Sequence, residues 1–101
     1  MIIYNVTTKI DPSIQSEWLT WLKEEHIPAM MDTRCFTNAV ILQLLDLDNT
    51  DGPTYAVQYH AESKALYNLY IENFSRTMQQ HSLHKWGELI IDFSTVMQVV
   101  N

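Results

Sequence analysis

The spacing of hydrophobic residues predicts two elements in the first third of the chain. Residues 1–9 are rich in β-branched and aromatic side chains, which predicts a β-strand. Asp11 and Pro12 then predict a helix start, because aspartate is a good N-cap and proline is favoured at the first helical position. The helix should run to about residue 31, with an apolar face formed by Ile14, Trp18, Trp21 and Leu22. Pro28 lies inside this helix, so we expect a kink just before it and a short final turn.

The rest of the chain predicts a hairpin, a second helix and a last strand. Residues 35–47 are strongly apolar and predict a long strand, and residues 54–60 predict its partner. A cluster of Asp, Asn, Thr, Gly and Pro between them is typical of a turn, so the two strands should form a β-hairpin. Ser63 is a good N-cap for a helix of about 64–82. Residues 88–99 predict the final strand.

The resulting order of elements is β-α-β-β-α-β. This order is typical of an α+β, ferredoxin-like domain, in which two helices cover one face of a four-stranded antiparallel sheet. The length of 101 residues fits a single domain over 1–101.

The strands are more apolar than such a fold requires. When one face of a sheet is exposed to solvent, each strand should alternate between apolar and polar residues. The second and last strands instead carry apolar residues on both faces. Because the chain has no third layer, we expect a second copy to cover the sheet, giving a homodimer packed sheet against sheet. Ile90 and Val96 are expected near the seam. The alternative is a monomer with a large apolar patch, although such patches are rare on soluble monomers.

Composition excludes several classes of partner and site. The net charge is −6, and the six Lys and Arg residues are scattered singly, so we expect no nucleic-acid binding. One cysteine, Cys35, excludes an internal disulfide and a cysteine-based zinc site. No stretch predicts a signal peptide or a membrane span, so we expect a cytoplasmic protein that does not bind membranes.

Three stretches carry a resemblance to a known superfamily: Met1-Ile2-Ile3-Tyr4-Asn5-Val6-Thr7, Trp18-Leu19-x-Trp21 followed by His26-Ile27-Pro28, and Thr54-Tyr55-Ala56-Val57-Gln58-Tyr59. With them the whole chain resembles the dimeric α+β barrel superfamily, and within it an uncharacterised family of roughly hundred-residue bacterial proteins of unknown function. The superfamily includes cofactor-independent monooxygenases, lactone isomerases, haem-degrading enzymes and ligand-sensing modules. The resemblance therefore implies the fold and a dimer, but no single activity.

His26 is the candidate catalytic residue. It lies at the edge of the apolar face of the first helix, where Pro28 disrupts the helical hydrogen bonds. An imidazole there could act as a general base or orient a bound carbonyl group. The alternative is that His26 caps the backbone carbonyls that the proline leaves free.

Four aromatic and two amide side chains are the candidate ligand-binding residues: Trp18, Trp21, Tyr55, Tyr59, Asn5 and Gln58. The aromatic ones should line the space between the first helix and the sheet, either as core or as the wall of an apolar pocket. Each buried indole N–H would need an acceptor. Asn5, Gln58 and Asp92 are polar residues in apolar strands, which could orient a ligand or pair across the sheet or the dimer interface.

The resemblance also implies a haem site as an alternative. Haem-degrading relatives use a histidine of the second helix as iron ligand and an asparagine of the first strand, and His81 and Asn5 occupy roughly those places. The tryptophan that these relatives carry on the third strand is absent here, so we expect no haem. No clustered metal ligands and no glycine-rich phosphate loop are present, so we expect no other cofactor either.

The leading hypothesis is therefore a homodimer that binds a small apolar or aromatic molecule in an aromatic-lined pocket. The first alternative is a cofactor-independent monooxygenase or isomerase acting on a small aromatic or carbonyl compound, with His26 as acid or base and Asn5 or Gln58 polarising an oxygen. The others are a haem-degrading enzyme and a regulatory or interaction module. A pocket filled by its own side chains would favour the interaction module, and an open one that reaches His26 would favour binding or catalysis.

Overall fold

The computed structural model describes residues 1–101 and contains one antiparallel sheet of four strands in the order β2-β3-β1-β4. The strands are β1 (Ile2–Ile10), β2 (Asn38–Gln43), β3 (Thr54–Ala61) and β4 (Ile90–Gln98). Helical segments follow β1 and β3, and both pack on the same face of the sheet. The predicted ferredoxin-like α+β fold is confirmed.

An aromatic cluster joins the sheet to the helices. Tyr4 of β1 is paired with Tyr59 of β3, and both side chains point to the helices. The ring of Tyr4 lies 6.1 Å from that of Tyr59 and 5.4 Å from that of Tyr70. Phe36 completes the cluster at 5.0 Å from Tyr70. Aromatic rings at these distances bury large areas and interact favourably, so this cluster forms the centre of the core.

The first helical segment begins where the sequence predicts. Asp11 accepts a hydrogen bond from the backbone N–H of Ser13 at 2.9 Å and so caps the segment. A single 3₁₀ turn (Pro12–Ile14) leads into helix α1 (Gln15–Trp21).

The predicted irregularity before Pro28 is a π turn rather than a break. The turn covers Leu22–His26 and leads directly into helix α2 (Ile27–Asp32). The backbone N–H of Ile27 donates to the carbonyl of Leu22, five residues earlier. Proline has no N–H to donate to the carbonyl four residues before it, and the wider turn accommodates that missing bond without ending the helix.

The second helical segment differs from the single helix predicted over 64–82. It consists of α3 (Lys64–Asn73) and α4 (Ser75–Trp86), separated at Phe74, whose backbone is not helical. The cap by Ser63 is confirmed, since its hydroxyl accepts from the N–H of Leu66. The hydroxyl of Ser75 donates to the carbonyl of Ile71 at 3.0 Å, a side-chain bond that competes with regular helix and tends to bend it.

The second strand is shorter than predicted. Asp46, inside the predicted strand, has a left-handed backbone conformation with φ of 60°, which a strand cannot include, and Arg34, just before the predicted strand, has φ of 63°. Cys35 and Phe36 are consequently buried in the core before the strand begins. The turn predicted over residues 48–53 is confirmed: the N–H of Gly52 donates to the carbonyl of Asn49 at 2.9 Å, and Gly52 has a φ of 118°.

The last strand corrects the residues predicted for a dimer seam. Ile90 pairs with Ile10 and Val96 with Tyr4, so both side chains lie on the helix-facing side of the sheet. Strand alternation places the odd-numbered residues of β4 on the opposite face. There Ile91 and Phe93 are 72% and 63% exposed. The uncovered apolar face predicted from the sequence is therefore present, but it is formed by the other set of residues.

No helix of this chain is both long enough and apolar enough to cross a membrane.

Candidate ligand cavity

A cavity of ≈ 60 Å³ lies between the helices and the sheet. Side chains of β1, β3 and β4 form its floor, and α1, the π turn, α2, α3 and α4 form its walls. Eleven of its 16 lining residues are hydrophobic, and the polar ones are Thr8, His26, Gln79, Ser82 and Asp92. A water molecule needs about 10–15 Å³ on this scale. The cavity can therefore hold a few waters or one end of a small organic molecule.

His26 lies on the cavity wall because the π turn carries it there. Its ring stacks on the indole of Trp21, with centroids 4.7 Å apart and an angle of 22° between planes. The side chain makes no hydrogen bond to a backbone carbonyl, so the capping role considered for it is not found. Burial, and to a smaller extent the nearby His81, lower the pKa of His26 to about 4. The imidazole is therefore neutral at neutral pH.

Both tryptophans of α1 line the cavity, as the sequence predicts. Trp18 is only 2% exposed, and its Nε1–H has no hydrogen-bond acceptor. Trp21 packs edge-on against Trp86 at 5.7 Å. Tyr59 also lines the cavity, and burial raises the pKa of its hydroxyl. The expectation that each buried indole would find a partner thus fails at Trp18.

Tyr55 lies on the predicted side of the sheet but does not line the cavity. Its ring packs against Trp18 at 5.4 Å, and its hydroxyl accepts a hydrogen bond of 2.8 Å from the Gln15 side chain. Tyr55 therefore supports the cavity wall from behind.

Asn5 and Gln58 do not reach the cavity. They are paired with each other across β1 and β3, on the face of the sheet that no helix covers. Asn5 donates to the hydroxyl of Thr7 at 3.0 Å on that same face. The prediction that these amides share a pocket with the aromatic residues is corrected, because strand alternation places them on the opposite side of the sheet.

The two residues that a haem would need are also separated. His81 is exposed on α4 and does not line the cavity, and Asn5 lies on the far face of the sheet. No group of three or more His, Cys, Asp or Glu side chains is close enough to hold a metal ion.

The mouth of the cavity lies between α4 and β4, and two of its residues, Gln79 and Ser82, were not assigned to a site by sequence reasoning, whereas Asp92 was considered as a residue that could orient a ligand. Gln79, Ser82, Ile90 and Asp92 line both the cavity and an outer groove of ≈ 210 Å³. Loss of water around its carboxyl raises the pKa of Asp92 above the usual range. A single unbroken helix over 64–82 would place Gln79 on the solvent-facing side, whereas the observed helix breaks at Phe74.

Comparisons with known proteins agree with this fold. A family model described as "Domain of unknown function (DUF4286)" matches residues 1–100. No curated protein matches the chain.

Solved structures share the fold at low sequence identity. A dimeric ferredoxin-like protein from an uncultured marine organism has a TM-score of 0.72 and 12% identity, covering 99% of this chain and 95% of that one. An ethyl tert-butyl ether degradation (EthD) family protein from Bacillus halodurans has a TM-score of 0.66 and 8% identity, covering 99% and 100%. A monooxygenase from Streptomyces coelicolor, in complex with nanaomycin D, has a TM-score of 0.61 and 15% identity, covering 99% and 89%. Identities this low show the fold alone.

Proposed function

The chain belongs to the DUF4286 family, a domain of unknown function, and we propose that it is a homodimer whose subunits each bind a small, largely apolar molecule between helices and sheet. One observation carries the binding function: a mostly apolar cavity contains a few convergent polar groups and opens to solvent between α4 and β4. Such cavities are the usual form of small-molecule sites.

The side chains of the protein leave this part of the interior empty, which favours ligand binding over a purely structural role. Native cores leave few voids larger than one water molecule, and this one is larger. It also reaches His26, whose neutral imidazole can donate one hydrogen bond and accept another. The interior therefore offers both an apolar surface and polar groups to fix a ligand's orientation.

Blocking the mouth tests this function. Ser82 lies at the mouth and is partly buried, so Ser82→Phe should plug the cavity without disturbing the aromatic core. Gln80→Phe, on the exposed surface of the same helix, is the matched control. Small neutral ketones and alkylbenzenes should shift the indole N–H resonances of Trp18 and Trp21 in the natural protein and in the control, but not in Ser82→Phe. If no compound shifts them in the natural protein, the interaction module becomes the better hypothesis.

The homodimer is supported by the uncovered face of the sheet. This open face carries Ile91, Phe93 and Met97 of β4 together with Val40 and Leu42 of β2, and all five are exposed. Contiguous apolar patches of this kind usually mark protein interfaces. The marine protein of the same fold is described as dimeric.

Light scattering at micromolar concentration should give twice the mass of one chain. Phe93→Asp should shift the protein to monomer, because a carboxylate would be buried without a partner at the seam. Leu83→Asp is the control, since Leu83 is equally exposed, at 66%, but lies on α4 rather than on the open face. A natural protein that stays monomeric under these conditions would contradict the proposed assembly.

Catalysis is the second candidate function, and the position of His26 on the cavity wall favours it. A neutral imidazole next to a bound carbonyl compound can remove a proton from the carbon beside the carbonyl group, a step shared by isomerisation and cofactor-independent oxygenation. The assay is hydrogen–deuterium exchange into a small ketone in deuterated buffer. Exchange that the protein accelerates and that His26→Gln abolishes would support catalysis, whereas exchange at the buffer rate would leave binding alone.

A further inference from the structure

The unpaired N–H of Trp18 defines what the bound molecule must supply. An indole nitrogen can only donate a hydrogen bond, and leaving a buried donor without an acceptor is costly. The chain provides no acceptor for Trp18 Nε1, although this residue is 2% exposed and forms part of the cavity wall. Because Trp18 lines the cavity, a molecule bound there can supply the missing acceptor.

The shape of the site is that of a narrow inner chamber with a wider outlet. The inner cavity of ≈ 60 Å³ contains Trp18, and the outer groove of ≈ 210 Å³ runs past Leu83 and Gly87 to solvent. The inner cavity and the outer groove are both lined by the side chains at the mouth. An occupant therefore has a small inner end beside Trp18 and a longer outer part between α4 and β4.

The charges around the site decide against an anion. No Lys or Arg lines either the cavity or the groove, and His26 is neutral at neutral pH. The one acidic side chain at the mouth is Asp92, and the whole chain carries a charge of −6. A carboxylate ligand would have to lose its water with no cation to pair with, which is strongly unfavourable.

We infer that the ligand is an uncharged carbonyl compound whose oxygen accepts the Trp18 Nε1–H in the inner chamber while an apolar chain lies in the groove between α4 and β4. This inference rests on the proposed binding function and specifies its ligand class. Ketones, esters and amides all fit this description, since each presents an acceptor oxygen without a charge. Fatty acids and aromatic carboxylates do not.

Three probes of equal carbon number test it: methyl butyl ketone, hexane and hexanoate. In nitrogen–proton correlation spectra of the full chain, the ketone should move the Trp18 indole N–H downfield in a saturable manner. It should bind about threefold to tenfold more tightly than hexane, the gain expected from one hydrogen bond. Hexanoate should bind more weakly than the ketone by at least about tenfold, because its charge is not paired.

Three variants test which side chains are responsible for the probe preference. Trp18→Phe keeps a ring but removes the donor, so the preference for ketone over hexane should disappear. Trp86→Phe is the matched control, because the Trp86 N–H is also unpartnered, at 6% exposure, but does not line the cavity. Asp92→Asn should narrow the difference between ketone and hexanoate.

The outcomes separate this inference from the proposed function. Hexane binding as tightly as the ketone, or hexanoate binding more tightly, would overturn the ligand class while leaving the cavity a binding site. Binding of none of the three probes would overturn both. The ranking of the probes and the Trp18 shift are measured on the natural protein, so the result stands even if Trp18→Phe fails to fold.

Discussion

The partly buried imidazole of His26 should make the stability of the fold depend on pH in a defined window. The pKa falls from 6.5 to about 4 on folding, mainly because burial penalises the charged ring. Between those two values the unfolded chain binds a proton that the folded chain does not. Stability is therefore fully present above pH 6.5 and is lost as the pH falls towards 4.

The magnitude follows from the size of the shift. Each pKa unit corresponds to about 1.36 kcal/mol, so the full effect below pH 4 is about 3 kcal/mol. Between pH 7 and pH 5 the expected loss is about 2 kcal/mol. That is a large fraction of the roughly 5–15 kcal/mol that stabilises a typical domain.

Urea denaturation at a fixed protein concentration measures it, because a dimer's stability depends on concentration. His26→Gln removes the titrating group, so its unfolding free energy should fall less steeply than that of the natural protein between pH 7 and 5. His84→Gln, at an exposed position on α4, is the matched control and should retain the natural slope.

Asp92 acts in the opposite direction, because its raised pKa lets the folded state hold a proton as the pH falls, and Asp92→Asn removes that contribution. Parallel curves for the natural protein and His26→Gln would refute a partly buried, neutral His26.

Two further predictions concern the backbone and the haem hypothesis. Gly52→Ala should lower the free energy of unfolding by more than about 2 kcal/mol, because φ is +118° and a Cβ would overlap the carbonyl oxygen of Ile10. Gly87→Ala should lower it by about 1 kcal/mol, because only the φ of +56° opposes a side chain there. Equal midpoints for the two variants in chemical denaturation would contradict this difference. Hemin titration followed at the Soret band should show no saturable change that His81→Ala abolishes, since His81 lies outside the cavity; stoichiometric, His81-dependent binding would restore the haem-degrading alternative.

The sequence by itself determined the order of elements and much of the core. Alternation and helical spacing are local properties, so they predicted four strands, the caps at Asp11 and Ser63, and the irregularity before Pro28. They also placed Trp18, Trp21 and Tyr59 at the helix–sheet interface, since one parity of β3 and one face of α1 must meet there.

The tertiary structure decided which polar residues meet. Alternation within β3 already places Gln58 on the face opposite Tyr55 and Tyr59, but the face of Asn5 is known only once its pairing with Gln58 and the positions of the helices are known. For the same reason, Ile90 and Val96 were expected at the dimer seam, whereas Ile91 and Phe93 lie on the open face. No local pattern contains that information.

The mouth of the cavity depends on the same long-range information. Gln79, Ser82 and Asp92 come together only because α3 and α4 separate at Phe74 and α4 then lies beside β4. The left-handed backbone at Asp46, inside the strand predicted over 35–47, is likewise not signalled by the apolar residues around it. The sequence therefore specified the layers of this protein. Its candidate site depended on the register of the strands and on how the helices pack over the aromatic core.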